Sequence, residues 1–492
     1  MSAEQETKAP VSERADRLKK LDELVKLGIN PYPAKAERDY LINDVLHDFS
    51  ALEKSGQAFY IAGRLKNVRG HGNLTFANLE DASGNIQIAL SKKDLGDQYK
   101  NFVKLIDSGD FIQVQGSCFT THKGENSLLV KDWRLLTKAL RAIPDAWYGL
   151  KDEEELFRKR YLDILLNPAT KQLVLKRAKF WQATRQFLLD RGFIEVETPV
   201  LETMAGGADA RPFKTHHNAL DIDVYLRIST GELWQKKLMV AGLDKTFEIG
   251  RQFRNEGMDA EHLQDYTQME FYWGYADYEK GMALVEELYK YIAQETFATL
   301  QFKIRGFDID LGKKWEKYDY RETVKKYTGV DILQATEKEI KAKLDELKVG
   351  YDLKGFNITR AIDNLWKYCR KQIAGPGFLV GTPIAVSPLA KRDDENQALA
   401  QRFQVILAGS ELGNGYSELN NPLDQEERFK EQQKLKEAGD EEAQPHDYDF
   451  VEALEYGMPP TCGFGMSERY FSFLMDRPAR ECQIFPLMRP KN

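Results

Sequence analysis

A chain of 492 residues with 42% hydrophobic content is long enough for about two to four domains with ordinary globular cores. Its net charge of −7 excludes indiscriminate nucleic-acid binding but leaves room for a directed basic patch. The opening MSAEQETKAP lacks a signal-like apolar core and no later run approaches the roughly 18 apolar residues of a membrane span, so a cytoplasmic protein without membrane contact is expected. Cys118, Cys369, Cys462 and Cys482 are widely separated, with no Cys-x-x-Cys pair and no histidine at zinc spacing. Reduced thiols and no zinc follow. The adjacent His216 and His217 would point to opposite faces of a strand.

In chain order, Ser12 to Leu27 carries Leu18, Leu21, Leu24 and Val25 at helical spacing, and Gly28 with Pro31 ends it. Residues 1–57 read as a helical extension. From Ala58 the pattern becomes short alternating strands: FYIAGRLKNVR, NLTFANLED and GNIQIALS, then a helical YKNFVKLID, then DFIQVQGSCF and NSLLVKDWRLL. Five strands with a helix between the third and fourth predict an OB-fold over 58–143, a barrel often used for single-stranded nucleic acid. This stretch holds twelve Lys and Arg against eight Asp and Glu, an excess of four that leaves −11 elsewhere, although chance would give the same modest asymmetry. Phe76 either fills the barrel core or stacks an unpaired base, whose edge the amide of Gln87 would read.

The polar stretch around Pro144, 144–159, reads as a linker, and 160–492 as a second, α+β domain, the one to which the resemblance given below assigns catalysis. Arg177 to Arg191 is an amphipathic helix leading into GFIEVETPVL, Gly192 to Leu201. Phe247 to Trp273 reads as two strands joined by a charged loop. One face carries Glu248, Gln252, Arg254 and Glu256 and, after the loop, Gln268, Glu270 and Tyr272; the other carries Phe247, Ile249, Phe253, Met269, Phe271 and Trp273. An arginine beside carboxylates suits an anion, a cation and a ribose held together; a solvated hairpin face is the plainer reading. Residues 278–400 read as an inserted helical subdomain, with a capping box at Thr336 and Glu339. ELGNGYSE places Asn414, Tyr416 and Glu418 on one strand face, with Gly413 and Gly415 leaving room beside them. A buried carboxylate beside an aromatic suits an ammonium-tipped aliphatic chain. Last, GFGMSERYFSFL is a glycine turn running into an apolar segment that carries Arg469.

The hairpin, the 192–201 stretch and the 463–474 stretch together resemble the three signature motifs of class II aminoacyl-tRNA synthetases, and the lysyl branch matches in detail. Further blocks agree, including NPYP, RYLDILLNP, GGADARPFKTHHNALD, ELGNGYSELNNPLDQEERF, ALEYGMPPT and IFPLMRP. The resemblance implies ATP-dependent activation of lysine and its transfer to tRNA(Lys), Mg2+ carried with ATP, and a homodimer in which Pro199 and its neighbours form much of the interface. It places lysine against Gly207, Glu232, Arg254, Glu270, Tyr272, Asn414, Tyr416 and Glu418. ATP falls to Arg254, Glu256, His262, Tyr266, Glu411 and Arg469, with Arg254 and Arg469 as the catalytic pair; salt bridges would be their plain structural alternative. The anticodon falls to Arg64, Phe76, Gln87 and Glu125.

The chain departs from the family at four places. His262-Leu263-Gln264-Asp265-Tyr266 stands where His-Asn-Pro-Glu-Phe is usual. Ser229-Thr230-Gly231 before Glu232 is one residue longer than the family's loop, and Gly463 to Arg469 is one shorter than its third motif. Of the two metal carboxylates, Glu411 is present and Gln404 replaces the other, and a carboxamide binds hard cations more weakly. The rivals are an aspartyl or asparaginyl ligase, which would need the opposite charge at the pocket base, a paralogue that attaches lysine to a protein, and a non-catalytic tRNA-binding relative.

Overall fold

The computed structural model describes residues 12–144, 152–204, 206–208, 210–257, 259, 261–351, 356–437 and 446–491, in two compact units that divide after Leu156. That division falls inside the expected linker, of which 145–151 lie outside the described residues and Glu153–Arg158 is helical.

In the first unit, helix Glu13–Lys26 is capped by Ser12, whose side chain accepts from the Ala15 amide. Strands β1 (Phe59–His71), β2 (Leu74–Glu80), β3 (Asn85–Ser91), β4 (Phe111–Thr120) and β5 (Asn126–Thr137) close a barrel in the order β1-β2-β3-β5-β4, with helix Asp97–Leu105 between β3 and β4. The alternating apolar positions turn inward: Ile61, Leu65, Leu79, Ile86, Ile88, Val114 and Leu128 are buried in one core.

The second unit is built on an eight-stranded sheet. Its middle is antiparallel: β10 (Arg402–Leu407), β11 (Ser410–Ser417), β12 (Thr461–Ser467), β7 (Asp265–Gly274) and β6 (Lys245–Phe253). Glu316–Asp319 and Gly377–Val380 extend one edge, and Ile194–Glu195 pairs in parallel with β6 at the other. One face packs against helices Pro168–Leu189 and Tyr278–Phe297, burying Phe247, Met269, Phe271, Phe403, Phe464 and Met466. A β-hairpin, β8 (Gln301–Ile304) and β9 (Phe307–Asp310), follows the second helix. Strand alternation therefore sends the polar partners of these residues to the opposite face.

The helical insertion is narrower than 278–400. Helix Tyr278–Phe297 belongs to the main core, and two strands of that stretch join the sheet edge; the hydrophobic pattern alone could not distinguish a core helix from an inserted one. The separate part comprises Tyr320–Thr328, Glu337–Glu346 and Ile358–Arg370, with its own core around Trp366, Leu365 and Ile340. The Thr336–Glu339 capping box is formed.

Candidate active site

The polar face of the sheet lines a cavity of about 360 Å³. All the residues the resemblance assigned to lysine, ATP and the metal line it: Gly207, Glu232, Arg254, Glu256, His262, Tyr266, Glu270, Tyr272, Gln404, Glu411, Asn414, Tyr416, Glu418 and Arg469. Glu248, expected on the same face, instead pairs with Arg227 Nη1 at 2.5 Å and accepts from Thr198 Oγ1 at 2.6 Å, buttressing the 198–202 segment.

One end of the cavity is acidic and closed. Glu232, Glu270 and Glu418 are all buried. Glu270 accepts from the Thr230 amide at 2.8 Å, Gln268 Nε2 at 2.6 Å and Tyr272 OH at 3.2 Å. Tyr416 donates its hydroxyl to Glu232. Between Glu232 and Glu418 stands Lys236, 1% exposed, with Nζ 3.0 Å from Glu232 and 2.6 Å from Glu418. Burial opposes the charge of Lys236, but Glu232 and Glu418 outweigh it and raise its pKa. A single ammonium cannot neutralise three carboxylates in a desolvated pocket. Burial first, then repulsion from Glu232, pushes Glu270 up to about 7. Burial, opposed by Lys236 and reinforced by Glu232 and Glu270, pushes Glu418 up to about 8.

Sequence reasoning missed Lys236 as the existing partner of Glu418. Its signal was the Glu232–Lys236 spacing of four on one helix, Glu232–Val240. The glycines here have specific reasons. Gly207 has φ +85°, and a Cβ would lie 2.7 Å from Ser229 Oγ and 2.9 Å from Glu232 Cβ. At Gly463 a Cβ would collide with the Glu418 carboxylate. Gly413 and Gly415 do not make room for a ligand as expected: Cβ atoms there would meet Phe464 at 2.5 Å and Phe403 at 2.7 Å on the core side.

The other end is cationic. Arg254 donates from Nε to the Ile228 carbonyl at 3.3 Å, and its guanidinium lies 5.8 Å from the centre of the Tyr266 ring. His262 Nδ1 sits 2.8 Å from Asp259 Oδ2, and Glu256 is exposed at the rim. Arg469 is the first residue of helix Arg469–Leu474, pairs with Glu261 and donates to Ser410 Oγ at 2.8 Å. Trp366 donates its indole N–H to Glu411. Gln404 lies directly across the β10–β11 ladder from Asn414, whose Oδ1 accepts from Arg402 Nε at 2.8 Å.

On the barrel, Phe76 is half-buried between the buried Thr75 and Ala77, so it faces outward and is not core. Phe76 pairs in register with Ala89 and Asn78 with Gln87, and Arg64 lies opposite Glu80, which puts Arg64, Phe76 and Gln87 on one outer face. Gln87 Nε2 donates to Ser127 Oγ at 2.9 Å, and Arg64 stacks over Phe111 at 4.2 Å. Glu125 is exposed in the β4–β5 turn.

Residues 152–489 match the family described as tRNA synthetases class II (D, K and N), and residues 59–136 match the OB-fold nucleic acid binding domain. The chain belongs to the class II tRNA synthetases. Curated relatives named lysine–tRNA ligase include that of Thermoanaerobacter sp. (strain X514), 43% identical over 97% of this synthetase and 96% of its own length. Those of Thermotoga maritima and Moorella thermoacetica are 41% and 43% identical over 97% of this chain, covering 96% and 98% of their own. In this synthetase the β7–β12 ladder runs unbroken from Thr461 to Ser467, and Glu468 alone separates the strand from the helix that Arg469 begins. The Ser229–Gly231 loop turns at Gly231, φ +71°, so that Glu232 opens its helix inside the cavity.

Proposed function

We propose that this synthetase is a lysine–tRNA ligase, converting lysine and ATP to lysyl-adenylate and pyrophosphate and then passing lysine to the 3′ end of tRNA(Lys). The observation that carries the reading is the charge of the closed end. Once all three are ionised, the carboxylates facing one ammonium carry two negative charges in excess, matching a substrate that brings two ammonium groups; without it, burial holds Glu270 and Glu418 toward their neutral forms. Arg254 then balances the substrate carboxylate. A buried lysine at the pocket base could be cited for an acidic amino acid. Lys236, however, is already gripped by Glu232 and Glu418, and a third carboxylate there would raise the negative charge further.

In this reading the lysine carboxylate oxygen attacks the α-phosphorus of ATP, and the bond from that phosphorus to the bridging oxygen of pyrophosphate breaks. No side chain need act as nucleophile or general base. Arg254 draws the two anions together against their repulsion, Tyr266 stacks on adenine, and Arg469 holds the terminal phosphate, so the acceleration comes from positioning and electrostatic stabilisation. Glu411 and Gln404 offer oxygen donors of the kind Mg2+ takes alongside phosphates. Bound there, the ion would neutralise phosphate charge. No group of three or more His, Cys, Asp or Glu that could hold a metal occurs among the described residues.

The outer face carrying Arg64, Phe76 and Gln87, with Glu125 in the neighbouring turn, is where the anticodon would be read. Half-exposed Ile194 at the sheet edge, with half-exposed Val200 and Leu201 in the segment that follows it, suits a homodimer interface. No helix among the described residues is long and apolar enough to cross a membrane. ATP–pyrophosphate exchange with each amino acid tests the reading. Lysine should be the one that drives exchange; preference for aspartate or asparagine would leave only the broader synthetase assignment.

A further inference from the structure

The carboxylate of Glu261, in the loop between β6 and β7, is gripped by two guanidiniums, Arg469 and Arg305, and accepts from Ser410 Oγ at 2.8 Å. Burial favours its neutral form, yet Arg469 and Arg305 outweigh this and hold its pKa down to about 2. Arg469 is the expected ligand of the terminal phosphate of ATP, so an internal anion stands where that phosphate would arrive.

Arg305 has no assigned role, and its placement has a price in backbone energy. It is the first residue of the two-residue turn joining β8 to β9, with φ +52°, followed by Gly306 at φ +85°. Both central positions of such a hairpin turn demand positive φ, which favours Asn or Gly over arginine, and strain of this kind collects at functional positions. The Arg305 side chain is fixed independently of Glu261. Its guanidinium lies 4.0 Å from the centre of the Phe473 ring, one turn along the helix that begins at Arg469, and its backbone amide donates to Asp476 Oδ1 at 2.9 Å. Two arginines are thus held side by side, facing one anion.

We propose that Arg305 joins Arg469 as a ligand of the terminal phosphates of ATP and of the pyrophosphate released, and that Glu261 occupies their place until the nucleotide displaces it. The assignment rests on the reading of this cavity as an ATP site. A phosphate offers several oxygens to paired guanidinium forks where a carboxylate offers two. Self-occupancy lowers the apparent affinity by the fraction of molecules in which the site is open.

The test is calorimetric binding of MgATP, inorganic pyrophosphate and AMP to the full chain and to Arg305→Ala, Arg305→Lys and Glu261→Gln, with melting curves to establish folding. Arg305→Ala should weaken MgATP and pyrophosphate by about tenfold or more, as expected for loss of one charge-assisted contact, and leave AMP unchanged. Arg305→Lys should recover part of the loss. Glu261→Gln should tighten MgATP and pyrophosphate several-fold. Unchanged pyrophosphate affinity in Arg305→Ala, or unchanged or weaker affinity in Glu261→Gln, overturns the proposal. Should lysine fail to drive exchange in the wild-type protein while these affinities shift as stated, the substrate reading falls and the phosphate site stands.

Discussion

Acidifying the medium should expel lysine from the pocket, because the two carboxylates with raised pKa values must ionise to receive its ammonium groups. With Glu418 held up to about 8, only about one molecule in a hundred carries it ionised at pH 6, against roughly half at pH 8. That change alone weakens lysine binding by about fiftyfold. Glu270, also held up by burial and by repulsion from Glu232, to about 7, acts in the same direction. Calorimetry in two buffers of different ionisation heat counts the protons: lysine binding at pH 6 should release between one and two, and at pH 8 fewer than one. The stability of the ligand-free fold follows with a defined sign. Both pKa values are raised from the ordinary 4.5, so the stabilisation these groups contribute is complete below that value and is lost as pH rises through about 7 and then about 8. Melting temperature without lysine should fall over this window, and the increment produced by saturating lysine should grow. An affinity that stays flat between pH 6 and pH 8, with no protons released at pH 6, refutes the charge argument for the pocket.

Glu418→Gln keeps the shape of the pocket but removes one side of a buried charge pair, a loss of about 2–5 kcal/mol. Exchange with lysine should drop roughly 30- to several-thousand-fold while MgATP affinity holds and norleucine gains on lysine; normal lysine activation would sink the assignment. Lys236→Met withdraws the only ammonium in contact with Glu232 and Glu418 among the described residues, so the pH midpoint for lysine binding should move upward, and an unmoved midpoint would show that Lys236 does not set the pocket's charge. Gln404→Glu should lower the Mg2+ concentration giving half-maximal exchange, whereas an unchanged or higher requirement would mean that this side chain does not approach the ion. Phe76→Ala should cost about 1–3 kcal/mol of tRNA binding in a folded protein, and equal affinity would remove Phe76 from base recognition.

Much of this architecture was legible because its decisive pattern is local. Alternation over 58–137 gave the barrel strands, and the same alternation put Arg254, Glu270 and Tyr272 on one face of the hairpin and Asn414, Tyr416 and Glu418 on one face of another strand; the sheet brings the two sets to one cavity. Resemblance supplied what alternation could not, notably Gly207, Glu232 and Arg469, which reach the cavity from separate elements. Lys236, Arg305 and Glu261 escaped both routes. Each is unremarkable in its own segment: a lysine on an amphipathic helix, an arginine in a hairpin, a glutamate in a charged loop. Their meaning comes from contacts across long sequence separations, such as the 208 residues between Glu261 and Arg469. The extent of the helical insertion was overestimated for a related reason, since a helix buried in the main core and one in a satellite core have similar periodicity until the surfaces they cover are known.

The division of labour along β11 bears on how substrate preference can change over evolution. Asn414, Tyr416 and Glu418 project toward the cavity, while Gly413 and Gly415, at alternate positions of the same strand, lie against Phe464 and Phe403, two rings stacked 5.7 Å apart within 2° of parallel. One set of positions answers to the ligand and the interleaved set to the hydrophobic interior, so mutation at the first can retune chemistry without disturbing the sheet's packing. The glycines are the fixed type around which specificity is printed. Relatives that handle a different amino acid can therefore arise by exchanging side chains of a single parity, and the scaffold persists while its substrate drifts.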